Sequence, residues 1–257
     1  MWFQIKAYIY FLFTSKNQHG VHSPFVYQLI TKCFYNTTKY PAYTQWKSVK
    51  NAYLKSHKTF IMNDEGAGSR VFKNHKRKVA SVAKNAGTTY KRAKLLYRLS
   101  KYLKVKSALE LGTSLGLGSI ALGLNEELKL TTVEACKTTS QLASDTAESL
   151  DLSNIKFINA KFEDYLNQIP KATQFDLIFV DGNHQRQATL DYFNTLLQHV
   201  HNDSIIIFDD IHWSQGMQDA WEEIKQHSKV KVSIDSFFWG MIFFRKEQVK
   251  EHFKIRI

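Results

Sequence analysis

The stretch Ser107-Ala-Leu-Glu-Leu-Gly-Thr-Ser-Leu-Gly-Leu-Gly118 constrains this chain more than any other part of it. Ala108, Leu109 and Leu111 make the short apolar run of a buried strand, and Gly112 ends it. Gly116 and Gly118 follow, before a second apolar stretch, 120–124, at helical spacing. Strand, glycine turn and helix, in that order, is how a doubly wound sheet receives a nucleotide-like ligand. The glycines let the backbone pass close to the ligand, and the start of the helix offers free N–H groups. The spacing is Gly-x-x-x-Gly-x-Gly, not the Gly-x-Gly-x-x-Gly of a dinucleotide phosphate clamp. Glu110, two residues before the first glycine, suits a cationic ligand better than a pyrophosphate. The competing reading is an ordinary glycine-rich turn in an α/β protein.

The neighbouring sequence supports a sheet of this kind. Residues 92–104 predict an amphipathic helix, with Leu95, Leu96, Leu99, Tyr102 and Leu103 on one face. After the glycine stretch, strands expected at 130–133, 155–158, 175–180 and 204–208 alternate with helices at 138–150, 163–166, 185–199 and 215–227. The last apolar runs, 230–234 and 238–244, lie too close for a crossover helix and predict an antiparallel hairpin. The expected fold is therefore α/β: a Rossmann-like, doubly wound, mostly parallel sheet of seven strands, closed by a C-terminal antiparallel hairpin. Residues 90–257 should form this domain and residues 1–89 a mainly helical extension or lid.

Charge separates the same two regions. Residues 1–106 carry 21 Lys or Arg against Asp64 and Glu65 alone, a balance of +19, while the rest of the chain carries −7. A basic surface of this kind serves nucleic acid, anionic lipid or an acidic small molecule, or simply keeps the protein soluble. Residues 1–13 hold Trp2, Phe3, Ile5, Tyr8, Ile9, Phe11, Leu12 and Phe13, a run shorter than the roughly 20 residues of a bilayer span. They read as a helix packed on the protein body, with an interfacial, peripheral membrane helix as the alternative. The loop from His19 to Phe25 and the glycine loop at 64–70 have no assigned role; the second is a decoy for a cofactor loop, because a basic polar segment follows it. Two cysteines, Cys33 and Cys136, far apart in sequence, suit a reducing compartment such as the cytoplasm.

Glu-x-Gly-x-x-x-Gly-x-Gly after a strand resembles motif I of the class I S-adenosylmethionine-dependent methyltransferases. The variant is that of the cation-dependent O-methyltransferases of the catechol and caffeoyl-coenzyme A type. The resemblance covers about residues 90–244 and implies cofactor contacts from Glu110, Gly112, Thr113, Ser114, Gly116, Gly118 and Asp181. Glu134, 22 residues past Gly112 at the end of the second strand, is placed to accept both ribose hydroxyls. Ala160, Lys161 and Phe162 follow the third strand, where the family contacts the adenine.

Three carboxylates are expected at the ends of the fourth and fifth strands: Asp181, Asp209 and Asp210. Gathered without a cation they would raise one another's pKa values, and Mg²⁺ or another hard divalent ion would remove that conflict. The resembled enzymes hold their metal with an Asp after the fourth strand and an Asp-Asn pair after the fifth, so Asp210 departs from the pattern. Trp213 falls where some of them have a tryptophan. The alternative is that these aspartates cap the following helices. His184, three residues past Asp181, stands where the family carries a lysine proposed as general base, and Asp181 would act beside it; His212 is the rival base.

The resemblance thus implies a methyltransferase acting on an oxygen of a small-molecule acceptor, anionic or amphipathic, with a homo-oligomer as one arrangement and the extension as lid. An RNA methyltransferase using the basic extension is one alternative, although the chain has no Asn-Pro-Pro-Tyr motif and no recognisable RNA-binding module. A NAD-dependent oxidoreductase, disfavoured by the glycine spacing, is another. A catalytically inactive methyltransferase fold serving as a binding protein is the third, and Glu110, Gly112, Glu134 and Asp181 argue against it.

Overall fold

The computed structural model describes residues 2–61, 76–85 and 87–257, so the glycine loop at 64–70 lies outside the described residues. The chain begins with α1 (Trp2–Thr14), a 3-10 turn, α2 (Pro24–Leu29) with a π-helical continuation Ile30–Phe34, and α3 (Pro41–Leu54). A short antiparallel pair follows, β1 (Thr59–Ile61) with β2 (Lys76–Lys78), then α4 (Val79–Asn85) and α5 (Tyr90–Tyr102). From there strands and helices alternate: β3 (Ser107–Leu111), α6 (Leu117–Gly123), β4 (Lys129–Glu134), α7 (Lys137–Glu148), β5 (Ile155–Asn159) and α8 (Phe162–Leu166). Next come β6 (Leu177–Val180), α9 (Arg186–Leu196), β7 (Ile205–Asp209) and α10 (Gln215–Gln226). The chain closes with β8 (Val232–Asp235), β9 (Trp239–Phe243) and β10 (Glu251–Lys254).

The large sheet has eight strands and is mostly parallel. By contacts the chain divides into two compact units, Asn36–Asn167 and Met1–Tyr35 with Gln168–Ile257. In the first, β3, β4 and β5 run parallel in that order, with Leu111 beside Val133 and Glu134 beside Asn159. This register brings three strand ends level. Buried Leu95, Leu96 and Leu99 of α5 give that helix its core face, as its periodicity requires. The indole N–H of Trp46, on α3, donates to the Leu117 carbonyl at 2.8 Å and ties α3 to the first residue of α6.

The second unit holds the order β10-β8-β9-β7-β6. Strands β6 and β7 are buried at every position, the mark of parallel strands covered on both faces. The expected hairpin is present: β8 and β9 pair antiparallel, Asp235 with Gly240, and β9 pairs antiparallel with β7. A Cβ on Gly240 would stand 2.6 Å from the Trp221 ring, so the missing side chain is what lets the buried indole of α10 lie on β9. The count of seven strands needs one correction. Strand β10 runs parallel to β8, His252 beside Ser233 and Phe253 beside Ile234. Its sequence, Glu-His-Phe-Lys, has one large apolar residue, because an edge strand has only one neighbour and keeps polar groups in water.

Helix α1 departs from the core-packed helix expected of its composition: only Phe11 is buried. The Tyr8 and Phe11 rings rest on Phe237 at centroid distances of 4.7 and 5.6 Å, and Lys16 bridges to Ile255.

The turn from β3 into α6 is the tightest backbone feature near the strand ends. Gly116 has φ +73°, and a Cβ there would sit 2.7 Å from the Ala143 Cβ of α7. Gly116→Ala should lower the unfolding free energy by about 1–3 kcal/mol, through left-handed strain and the clash together. An unchanged denaturation midpoint would show that the turn is not built this way.

Candidate active site

The ends of β3, β4 and β5 form the first group of functional residues, all within one compact unit. Gly112 (φ +110°), Ser114 (φ +48°) and Gly116 each take positive φ, so the backbone reverses in five residues. The N–H groups of Gly112 and Thr113 both donate to the Val133 carbonyl, at 3.0 and 3.3 Å. The Glu134 carboxylate holds the outer side of the turn, accepting the Ser114 N–H at 2.8 Å and the Cys136 N–H at 2.9 Å on its two oxygens. Burial raises the Glu134 pKa, while N–H bonds from Cys136, Ser114 and Ala135 work against the rise. A carboxylate offers about four acceptor sites, so the group keeps capacity for a further donor.

Glu110 sits differently from Glu134. It is buried, and its carboxylate accepts the Thr132 hydroxyl at 2.6 Å and the Ser119 hydroxyl. Thr113 joins the cluster through its hydroxyl, 2.6 Å from that of Thr132. Desolvation pushes the Glu110 carboxyl up to about 7, with Glu134 adding to the rise and the two hydroxyl bonds opposing it. Gly118 is buried inside α6. Ala160, past β5, donates its N–H to the Glu134 carbonyl at 3.2 Å; Lys161 is the N-cap of α8 and Phe162 its first residue. Asn159, which the sequence did not single out, ties this edge together by donating to the Glu134 and Ala135 carbonyls at 2.7 and 2.9 Å.

The second group lies in the other unit. Asp181 directly follows β6, and its Oδ1 stands 4.0 Å from Nε2 of His184. The His184 ring is 6.1 Å from that of Trp213. Between Asp181 and His184, Asn183 takes φ +47° and its amide donates to the Tyr192 hydroxyl at 2.9 Å. Asp209 ends β7 opposite Trp239, and Asp210 follows in a left-handed conformation, φ +54°. The rival His212 is buried and bonds through Nε2 to Asp235 at 3.0 Å, its ring stacked on Phe237 at 5.1 Å. Asp235 was missed; its one signal is that it ends a strand, as the other acidic candidates do.

The structure bears on two expectations for the aspartates. Among the described residues no three His, Cys, Asp or Glu side chains are gathered so that they could hold a metal ion. Consecutive residues leave a strand end on opposite sides, and the left-handed turn at Asp210 sends its backbone on toward Trp213, whose N–H meets the Asp210 carbonyl at 2.8 Å. The capping alternative fails: Gln185 is the N-cap of α9 and Ser214 that of α10, the latter accepting the Met217 N–H.

Comparison with known proteins agrees with this geometry. Residues 109–211 match a family model described as a methyltransferase domain. No curated protein matches the chain by sequence. Among solved structures, a methyltransferase from Podospora anserina with S-adenosylhomocysteine bound aligns with a TM-score of 0.62 at 13% identity, covering 88% of this chain and 97% of its own. An O-methyltransferase from Bacillus cereus in complex with S-adenosylhomocysteine gives 0.53 at 20% identity, with coverage of 81% and 91%. The O-methyltransferase of tomaymycin synthesis from Streptomyces achromogenes, in complex with S-adenosylmethionine, gives 0.55 at 18%, with coverage of 79% and 98%. The chain has the fold of the S-adenosylmethionine-dependent O-methyltransferases. The matched residues include the glycine turn, both glutamates and the acidic ends of β6 and β7.

Glu110 gives a pH test of the first group. Its folded pKa of about 7 lies above the ordinary value of 4.5, so the unfolded chain loses the proton first and stability falls as pH rises across that interval. Glu110→Gln keeps an acceptor for Ser119 and Thr132 but has no proton to lose. Denaturant unfolding should show the parent chain losing up to about 3 kcal/mol relative to the variant between these pH values. Parallel stability profiles for the two proteins would remove Glu110 from this role.

Proposed function

We propose that the chain is an S-adenosylmethionine-dependent methyltransferase that methylates an oxygen of a small-molecule acceptor. One observation carries the reading. The level ends of β3, β4 and β5 bring together a turn of positive-φ backbone, a carboxylate pinned by two N–H bonds, and the Ala160-Lys161-Phe162 segment. Those donors and acceptors fit a cofactor with a ribose diol and an adenine. Glu134 would accept the two ribose hydroxyls, already oriented by Ser114 and Cys136, so little side-chain order is lost on binding. Thr113, Ser114 and the flanking glycines Gly112 and Gly116 would line the path of the amino-acid part. Ala160, Lys161 and Phe162 would bound the adenine.

When bound, S-adenosylmethionine supplies a methyl group on a positively charged sulfur, which an oxygen nucleophile attacks in line. Alignment supplies much of the rate in such a transfer. We assign His184 the removal of the acceptor hydroxyl proton at Nε2, with Asp181 favouring the charged imidazole that results. Glu110 would act at one remove, holding Ser119 of α6 and Thr132 of β4 in one buried cluster beside the turn. Asp181, Asp209 and Asp210 are the residues that would hold a divalent ion such as Mg²⁺, which would lower the pKa of the acceptor hydroxyl. Cys33 and Cys136 are buried and not joined in a disulfide, which supports a reducing compartment such as the cytoplasm. No helix among the described residues is long and apolar enough to cross a membrane.

Titration calorimetry should detect S-adenosylmethionine and S-adenosylhomocysteine and give no measurable heat with NAD; tight NAD binding alone would reverse the reading. Glu134→Ala should weaken binding of both ligands by about 1.5–3 kcal/mol, the scale of hydrogen bonds to a charged group.

The aspartate geometry leads to a separate expectation. Turnover of an accepted substrate in excess EDTA tests the metal, and full turnover there would leave His184 acting without one. Loss in EDTA with recovery on Mg²⁺ or Mn²⁺ would show that Asp181, Asp209 and Asp210 come together in the working enzyme.

A further inference from the structure

Seven of the fourteen large apolar side chains exposed among the described residues belong to one 13-residue helix, α1. They are not scattered over it. Trp2, Ile5, Ile9 and Phe13 recur every three or four residues, with Leu12 alongside, and so form one stripe. Their exposures are 70, 42, 49, 86 and 40% in the order Trp2, Ile5, Ile9, Phe13, Leu12. The opposite side carries buried Phe11 together with Gln4, Ala7 and Thr14, all less exposed than the stripe. The helix is therefore amphipathic in the inverted sense. Its more polar side is turned toward the protein and its apolar side away from it.

Helix α1 is nonetheless fixed. The Phe11 and Tyr8 rings pack on Phe237, Ser15 N–H bonds to the Phe11 carbonyl, and Lys16 N–H bonds to the Lys254 carbonyl at 2.8 Å. Phe238, next to this anchor, is 48% exposed and extends the apolar surface. The charged side chains of the first 35 residues have one sign. Residues 1–35 contain Lys6, Lys16 and Lys32 and no Asp or Glu. The Lys6 ammonium lies 5.6 Å from the Trp2 ring and that of Lys254 lies 4.3 Å from the Tyr10 ring, so both charges stand at the border of the apolar face.

We propose that α1 is an interfacial anchor that lies in the plane of an anionic lipid surface. The stripe would enter the boundary between headgroups and acyl chains, with the lysines reaching the phosphates. Trp2, Tyr8 and Tyr10 are the side chains that favour that boundary, being apolar bodies with polar tips. At about 1.5 Å per residue the helix is roughly 20 Å long, too short to span a bilayer and sufficient to lie along one. Charge is what selects lipid over a second copy of the chain. Two such faces pressed together would bring Lys6, Lys16 and Lys254 of each copy into apposition with no carboxylate from residues 1–35 to answer them. Anionic headgroups neutralise the same lysines. This inference does not depend on the methyl-transfer reading.

The test uses the full chain and sedimentation with vesicles of phosphatidylcholine alone or mixed with phosphatidylglycerol. Binding should be strong to the mixed vesicles at low salt, weaker to phosphatidylcholine, and reduced as salt rises. The double variant I9D/F13D should lose affinity for the mixed vesicles by at least about a hundredfold, the scale of withdrawing two large apolar side chains from lipid. Its thermal midpoint and its calorimetric titration with S-adenosylhomocysteine should match those of the parent, which separates a lost anchor from a lost fold. Lys6→Glu should weaken binding and flatten its salt dependence. Absence of binding to mixed vesicles at low salt overturns the proposal, as does binding that I9D/F13D leaves unchanged. A dimer of the parent chain in solution that I9D/F13D dissociates, without vesicle binding, assigns the stripe to a second copy and also overturns it.

Discussion

The Glu134 carboxylate, clamped on the turn between β3 and α6, is the interaction on which the rest of this strand-end region depends. Three of the five residues from Gly112 to Gly116 occupy positive φ, and one of them, Ser114, has a Cβ. Such a backbone costs on the order of 1 kcal/mol or more at a non-glycine residue, and needs partners that over-determine it. Glu134 supplies one by accepting the Ser114 N–H, and Val133 supplies another by accepting from Gly112 and Thr113. Both partners come from β4, so the shape of the turn follows from the parallel register of β3 with β4. Asn159 on β5 extends the same arrangement by holding the Glu134 and Ala135 carbonyls.

Two glutamates on neighbouring strands consequently have different physics. Glu134 ends its strand, keeps some contact with solvent and accepts main-chain donors. Glu110 is inside its strand, fully desolvated, and relies on two hydroxyl groups. A buried carboxylate is costly unless satisfied, and Ser119 and Thr132 are the groups that satisfy it. Its cluster links α6, β3 and β4 beside the turn. Glu110 therefore supports the turn from within the sheet, while Glu134 holds the main-chain N–H groups of Ser114 and Cys136.

The acidic ends of β6 and β8 each stand beside a histidine. Asp181 lies 4.0 Å from His184, and Asp235 takes Nε2 of His212. The Phe237 ring ties this region to α1, since it stacks on His212 and receives Tyr8 and Phe11.

The sequence by itself determined the order of elements and the kind of site. Strands covered on both faces must be apolar throughout, so β3, β6 and β7 are legible as short continuous runs. A gap of three residues between β8 and β9 admits only a hairpin. Glycines are demanded by backbone conformation, a local property, so the turn at Gly112 and Gly116 could be read directly. The tertiary structure decided everything that turns on direction and partner. Glu110 finds Thr132, 22 residues away, and His212 finds Asp235, 23 residues away, because sheet register and helix packing bring them together. Whether Asp181, Asp209 and Asp210 converge depends on side-chain direction after a left-handed turn, which residue type does not encode. The same holds at the edges: β10 needs only one apolar contact row, and α1 has apolar residues enough to pack either way round. Which side of α1 faces the protein is set by the Phe237 ring it meets, more than two hundred residues further along the chain.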